Sequence, residues 1–266
     1  MKHTMFLVSF LMLVPGFSIS PKTGYVQAAK ATTFEASFKE TSRNIYNRLS
    51  SDVDKPRLEV FENALKGFLN LKENGQLAED KNLLTIVDFS LSSKQKRLWV
   101  IDVKNLKVLY NTLVAHGRNS GVEFAREFSN KAQSFQSSLG FYTTAETYTG
   151  KHGLSLRLDG LEPGYNHRAR ERAIVMHGAN YATKKFVKLH GRLGRSLGCP
   201  AVPRKISDKL VKLLSGGNCL FIYHTGGDYL RNSVLLNKEP SATSLLAWQS
   251  PGFHHQFSGK QDFTEE

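Results

Sequence analysis

A chain of 266 residues with 40% hydrophobic and 11% aromatic content is long enough for one large domain, with or without a small helical appendage, and too apolar for disorder to be the default. Its formal charge of +13 favours anionic partners: nucleic acid, acidic lipid or an acidic cell-wall polymer. No arginine-rich run with interleaved aromatics is present, so the reading carries no nucleic-acid partner.

The first residues set the expected compartment. Met1-Lys2-His3 makes a positive start, residues 5–17 are nearly all apolar, and Val26-Gln27-Ala28 offers a signal-peptidase site. Residues 1–28 therefore read as a secretory signal peptide cleaved near Ala28, and the location as periplasmic or secreted. The apolar run falls short of the roughly 20 residues that span a bilayer, so no integral span is expected after cleavage. An uncleaved anchor is the alternative. Loss of Lys2 and Lys22 takes the charge from +13 to +11.

Residues 29–80 read as a helical segment. Phe34, Phe38, Ile45 and Leu49 recur at helical spacing within residues 31–49, and Phe61, Leu65, Phe68 and Leu69 do so within residues 58–71. Asn74-Gly75 supplies a stop. From residue 83 the texture changes to strands at 83–89, 97–103 and 107–115, with Lys104-Asn105 as a hairpin turn. Further strands are expected at 140–148, 154–158, 173–176 and 219–223. Residues 207–214 read as a helix capped by Ser207 or Asp208 and ended by Gly216-Gly217. Many short strands with few helices predict a mainly β catalytic domain over residues 81–225, a β-sandwich or barrel-like body with the N-terminal helices packed on it. The tail, 226–266, shows no clear period and reads as loop or a short lid; Phe253-His254-His255-Gln256-Phe257 within it is assigned no chemistry.

The chemistry concentrates in residues 174–223. I-V-M-H-G ends an apolar strand at His177 and Gly178, and G-R-S-L-G-C-P places Cys199 in a glycine-lined turn. Cys219, in an apolar strand, reads as a buried structural cysteine. Export makes a disulfide between the two cysteines the first thought, but their settings differ too much to favour it. A cysteine nucleophile with a histidine base fits His177 and Cys199 if the fold brings strand end and turn together. The N–H groups of Gly198 and Cys199 would then face an oxyanion. Spacing alone leaves open a structural His177 and an inert Cys199. A metal site from His177, His190 and Cys199 lacks a fourth ligand and a close-spaced pair, so neither metal nor cofactor is expected.

Four stretches together carry a resemblance: V-A-H-G-R-N-S-G at 114–121, F-S-N at 128–130, S-S-L-G-F-Y at 137–142 and G-R-S-L-G-C-P at 194–200. Over about residues 83–223 the chain resembles the murein L,D-transpeptidase catalytic domain family, a divergent branch of the L,D-transpeptidases. The resemblance implies that Cys199 is the nucleophile on the L,D amide of a tetrapeptide stem, releasing D-alanine. His177 is the implied base, oriented by the carbonyl of Gly178, and Ser196 braces the turn. The acceptor is implied to be the side-chain amine of a diamino acid on a second peptidoglycan stem. Water as acceptor gives an L,D-carboxypeptidase, and a catalytically silent wall-binding protein is the reading from another class. The better-known branch has a histidine where Leu197 stands, and an apolar residue then arginine where Pro200 and Ala201 stand. Arg195, Tyr181, His116 or Asn119 are the candidates to replace the missing substrate contact. For His116 a backbone-bonded strand-end role stands equally, and for Arg195 a solvated loop charge. Lys184, Lys185, Lys188, Arg192 and Arg195 would draw an anionic wall by long-range attraction.

Overall fold

Two helices and the buried middle of a sheet build the core. The computed structural model describes residues 22–241 and 243–245, with side chains from Glu35 onward. The apolar run of residues 5–17 and the aromatic cluster at 253–257 lie outside the described residues. Helix α1 (Lys22–Arg48) starts ahead of the helix expected from residue 31 and buries Phe38 and Ile45. Helix α2 (Leu58–Glu73) is the more central one: Phe61, Leu65, Phe68 and Leu69 are all buried. It stops as expected at Asn74, followed by Gly75 at φ +65°. Among the described residues no helix is long and apolar enough to cross a membrane.

The strands are β1 (Leu83–Asp88), β2 (Leu98–Asp102), β3 (Lys107–Thr112), β4 (Gly140–Gly150), β5 (Gly153–Gly160), β6 (Val175–Ala179), β7 (Ala201–Pro203) and β8 (Cys219–Tyr223). They form one sheet in the order β3-β2-β1-β8-β4-β5-β6-β7. Strands β1 and β8 pair in parallel, as do β6 and β7; the other pairs are antiparallel. Every residue of β8 is buried, which is why its sequence is an unbroken apolar run rather than an alternating one. Phe221 stacks on Phe141 of β4 with ring centroids 4.1 Å apart.

The two edges of the sheet then meet. Ala115, just beyond β3, bridges Ala201 of β7, with N–H···O distances of 2.8 and 3.3 Å. The sheet is thereby nearly closed, and the mainly β, barrel-like expectation holds. The seam of this closure carries the candidate site.

Three local expectations are corrected, and one helix is found where none was expected. The strand expected at 173–176 runs instead from Val175 to Ala179, because Ala173 adopts φ +54° and cannot continue a strand. Helix α4 (Arg204–Leu214) begins before the expected caps; Ser207 lies inside it and donates to Arg204 O at 3.0 Å. Helix α3 (Lys184–His190) was not legible because it buries no residue. The tail is not all loop: α5 (Tyr229–Asn232) and α6 (Val234–Asn237) pack back on the body, where Asn70 of α2 donates to Leu235 O and Lys238 O at 2.9 and 2.8 Å.

Candidate active site

The turn between α3 and β7 carries Cys199. Ser196 braces it from inside: its Oγ accepts from the Gly198 N–H at 3.1 Å and donates to Cys199 O at 2.6 Å. Gly198 sits at φ +121°, and a Cβ there would lie 2.8 Å from the carbonyl oxygen of Gln136. Conformation and space both demand glycine. Gly198 O accepts from Ser137 Oγ at 3.1 Å, and Ser137 Oγ accepts from the Gly117 N–H at 3.0 Å. Ser138 Oγ donates to Ser129 O at 2.8 Å. The stretches at 114–121, 128–130 and 137–142 therefore converge behind the cysteine turn.

The thiol lies against β6. The Val175 N–H points at Sγ at 3.5 Å, and Sγ points at Ala173 O at 3.7 Å. The positive φ of Ala173 is the backbone strain that turns this carbonyl toward the sulfur. His177 lies two residues further along β6, in register with Ser155 on one side and Ala201 on the other. Its Nδ1 is 3.2 Å from Gly178 O. A carbonyl only accepts, so in the neutral ring Nδ1 carries the proton and Nε2 keeps the free lone pair. Burial lowers the His177 pKa, and burial raises that of the Cys199 thiol. At rest both groups are neutral, and both belong to one edge of the seam. Cys219 is also a free thiol, but it is fully buried.

A profile of the L,D-transpeptidase catalytic domain matches residues 53–223. This chain belongs to that family. A comparison with curated proteins gives no match. Solved structures that resemble it include an L,D-transpeptidase from Mycobacterium smegmatis, at 12% identity over 54% of this chain and 59% of that one, with a TM-score of 0.35. An L,D-transpeptidase from Stackebrandtia nassauensis is also 12% identical, over 72% of this chain and 91% of that one, with a TM-score of 0.33. The chain thus spans less than two thirds of the M. smegmatis protein.

In this L,D-transpeptidase-family domain the remaining sequence-named residues separate. Tyr181 is half-buried beside the site; burial, and then the nearby Cys199, push its hydroxyl up to about 12. Arg195 donates to Arg118 O and Gly121 O at 3.1 and 3.2 Å, which ties it to the 114–121 stretch. Asn119 is exposed and donates to Ser134 O at 2.9 Å. His116 is 1% exposed, and both its ring nitrogens are engaged, with Arg97 Nη2 at 2.8 Å and Gly121 O at 3.2 Å. It has no free polar atom for a substrate, so its role is structural. Gly198 also changes role: its N–H is taken by Ser196, so it shapes the turn rather than facing an oxyanion. The Cys199 N–H has no partner among the described residues. Leu197, at the position of the family's second histidine, is 52% exposed, whereas Ala201 is fully buried in the seam. His190 is exposed on α3, and among the described residues no group of three or more metal-ligating side chains occurs.

Sequence reasoning missed Arg172 and His152. Arg172 donates to Ser129 O and Gln136 O at 2.6 and 2.7 Å, and a Cβ on Gly198 would lie 3.5 Å from its Nη2. It is a cation that favours the Cys199 thiolate. No residue-type pattern marks it, because its partners, two backbone carbonyls and two serine hydroxyls, are all distant in sequence.

Proposed function

We propose that this chain is a cysteine acyltransferase acting on peptidoglycan stem peptides, an L,D-transpeptidase exported to the periplasm or cell exterior. The observation that carries this reading is the His177 Nδ1–Gly178 O contact of 3.2 Å on the strand that also supports the Cys199 sulfur, because it leaves Nε2 as the proton acceptor. The tetrapeptide carbonyl between the diamino acid and D-alanine is the electrophile. As Sγ bonds to that carbon, the thiol proton moves to His177 Nε2 and the carbonyl oxygen becomes an oxyanion. The Cys199 N–H is the turn's available donor to it. Collapse breaks the C–N bond, and the departing D-alanine amine takes the proton from His177. The side-chain amine of a second stem then attacks the thioester, losing its proton through His177 and expelling the thiol.

Because both groups rest neutral, proton transfer accompanies attack instead of preceding it in a stored ion pair. The Val175 N–H and Arg172 favour the developing thiolate. Metal or cofactor is not required by this route.

The test incubates the protein and its Cys199→Ala variant with disaccharide-tetrapeptide fragments and reads products by mass spectrometry. Cross-linked dimers with intact Cys199 and none with alanine are expected. Tripeptide without dimers, in the presence of acceptor stems, would replace transfer by carboxypeptidase action. Unchanged tetrapeptide in both samples would favour a silent wall-binding protein.

A further inference from the structure

The ring of His177 is covered by a second histidine outside every motif. His152 lies at the turn joining β4 to β5. Its ring is stacked on that of His177, with centroids 4.3 Å apart and planes 20° from parallel. Arg204, at the start of α4, reaches the backbone of His152 and of Gly178, the residue after His177. Its Nη1 donates to His152 O at 3.0 Å and its Nη2 to Gly178 O at 3.1 Å. Gly178 O is also the oxygen facing His177 Nδ1 at 3.2 Å. One planar guanidinium thus spans the backbone of the covering residue and the carbonyl that fixes the tautomer of the covered one. The approach of α4 needs Gly178 bare: a Cβ there would lie 2.4 Å from Ser207 Oγ.

We propose that His152 and Arg204 are positioning residues for His177: the stacked ring fixes the imidazole plane and keeps water off it, and the guanidinium holds the Gly178 carbonyl that keeps the proton on Nδ1. This rests on the reading of His177 as the base. The geometry supplies the need, since rotation about the second side-chain bond of histidine is soft and one hydrogen bond leaves the ring plane free to rock. The surroundings add a second consequence. The charged or titratable groups acting on His177 are Lys151 and His152 from the β4–β5 turn and Arg204 from α4. None is a carboxylate. Burial, then the repulsion of His152, Arg204 and Lys151, lower the His177 pKa against the pull of Gly178 O.

The test compares His152→Ala, His152→Phe and Arg204→Ala in the full chain by two readouts. The first needs no substrate: long-range proton–nitrogen NMR gives the tautomer and titration midpoint of His177. The second is the pH profile of turnover. His152→Ala is expected to raise the midpoint by ~0.5 pH unit, as water reaches the ring, and to lower kcat about tenfold. His152→Phe restores the stack and brings kcat back to within about twofold of the parent. Arg204→Ala is expected to give a mixed tautomer population. A His177 midpoint and tautomer unchanged in all three variants would overturn the proposal, as would a His152→Phe variant no better than alanine. Activity that survives Cys199→Ala would instead overturn the acyltransferase reading, whatever the His152 variants do.

Discussion

Arg97 is a fully buried cation held by neutral acceptors: Val114 O, Leu91 O at 2.7 Å and His116 Nδ1 at 2.8 Å. Such a group is tolerated only when its hydrogen-bonding capacity is met. It dictates that His116 be neutral, with Nδ1 accepting and Nε2–H donating to Gly121 O. Burial first, then the Arg97 charge, lower the His116 pKa to about 3. The unfolded chain therefore binds a proton at His116 that the folded chain refuses between about pH 3 and pH 6.5. Stability is fully present above pH 6.5 and is lost as pH falls through that window, by up to ~1.4 kcal/mol per unit from this residue alone. Urea unfolding at pH 7, 6, 5 and 4 is expected to show that slope, and a His116→Gln variant to flatten it. A parent whose unfolding free energy does not change across the window would contradict the neutral assignment. A strand-end histidine looks the same in sequence whether it faces a substrate or a buried arginine; only the pairing of β2 with β3 decides between them.

The elements that the sequence made legible are those whose environment is uniform along their length. Strands β1 and β8 are buried on both faces, and α2 shows a clean apolar face, so their residue types announce them. What was hidden depends on distant partners. Strand β7 has three residues and exists because Ala201 is gripped between His177 of β6 and Ala115, three residues beyond β3. Helix α3 has no buried face, and the edge of β6 is set by the left-handed Ala173. In the site, Cys199, His177 and Ser196 were readable from local motifs, while Arg172, His152 and Arg204 reach it only through tertiary contacts. The packing of α2 makes its own prediction. Gly67 faces the sheet, and a Cβ there would lie 1.9 Å from Phe141 Cζ, deep inside the ring. Phe141 is itself held against Phe221, so Gly67→Ala forces α2 away from β4 and is expected to cost about 1–3 kcal/mol in urea unfolding. A variant of unchanged stability would show that α2 does not rest on that ring.

At the scale of the whole molecule, the match to the family ends at residue 223, yet the body continues beyond it. Glu162, buried at the end of β5, accepts from the Phe141 N–H at 2.7 Å and from Tyr229 Oη at 2.8 Å, and also bonds Ser233 Oγ. Tyr229 and Leu236 belong to the same core as Phe68 and Phe221. Ending the chain after residue 225 strips Glu162 of both side-chain donors and uncovers α2; the expected result is a fall of about 10 °C in Tm by calorimetry. A truncated protein that melts with the parent would reduce α5 and α6 to passengers. The charge of +13 is a property of the whole surface, and it suits long-range attraction to an anionic wall. On the proposed function all these layers serve the thiol in the seam, and the covalent step tests them together. The protein would be mixed with a tetrapeptide stem, quenched in acid and mapped by peptide mass spectrometry. The expected result is an adduct of the stem less D-alanine on the peptide containing Cys199, absent from Cys199→Ala and strongly reduced in His177→Ala. Turnover of the stem with no adduct on Cys199, or turnover that persists in Cys199→Ala, would contradict it.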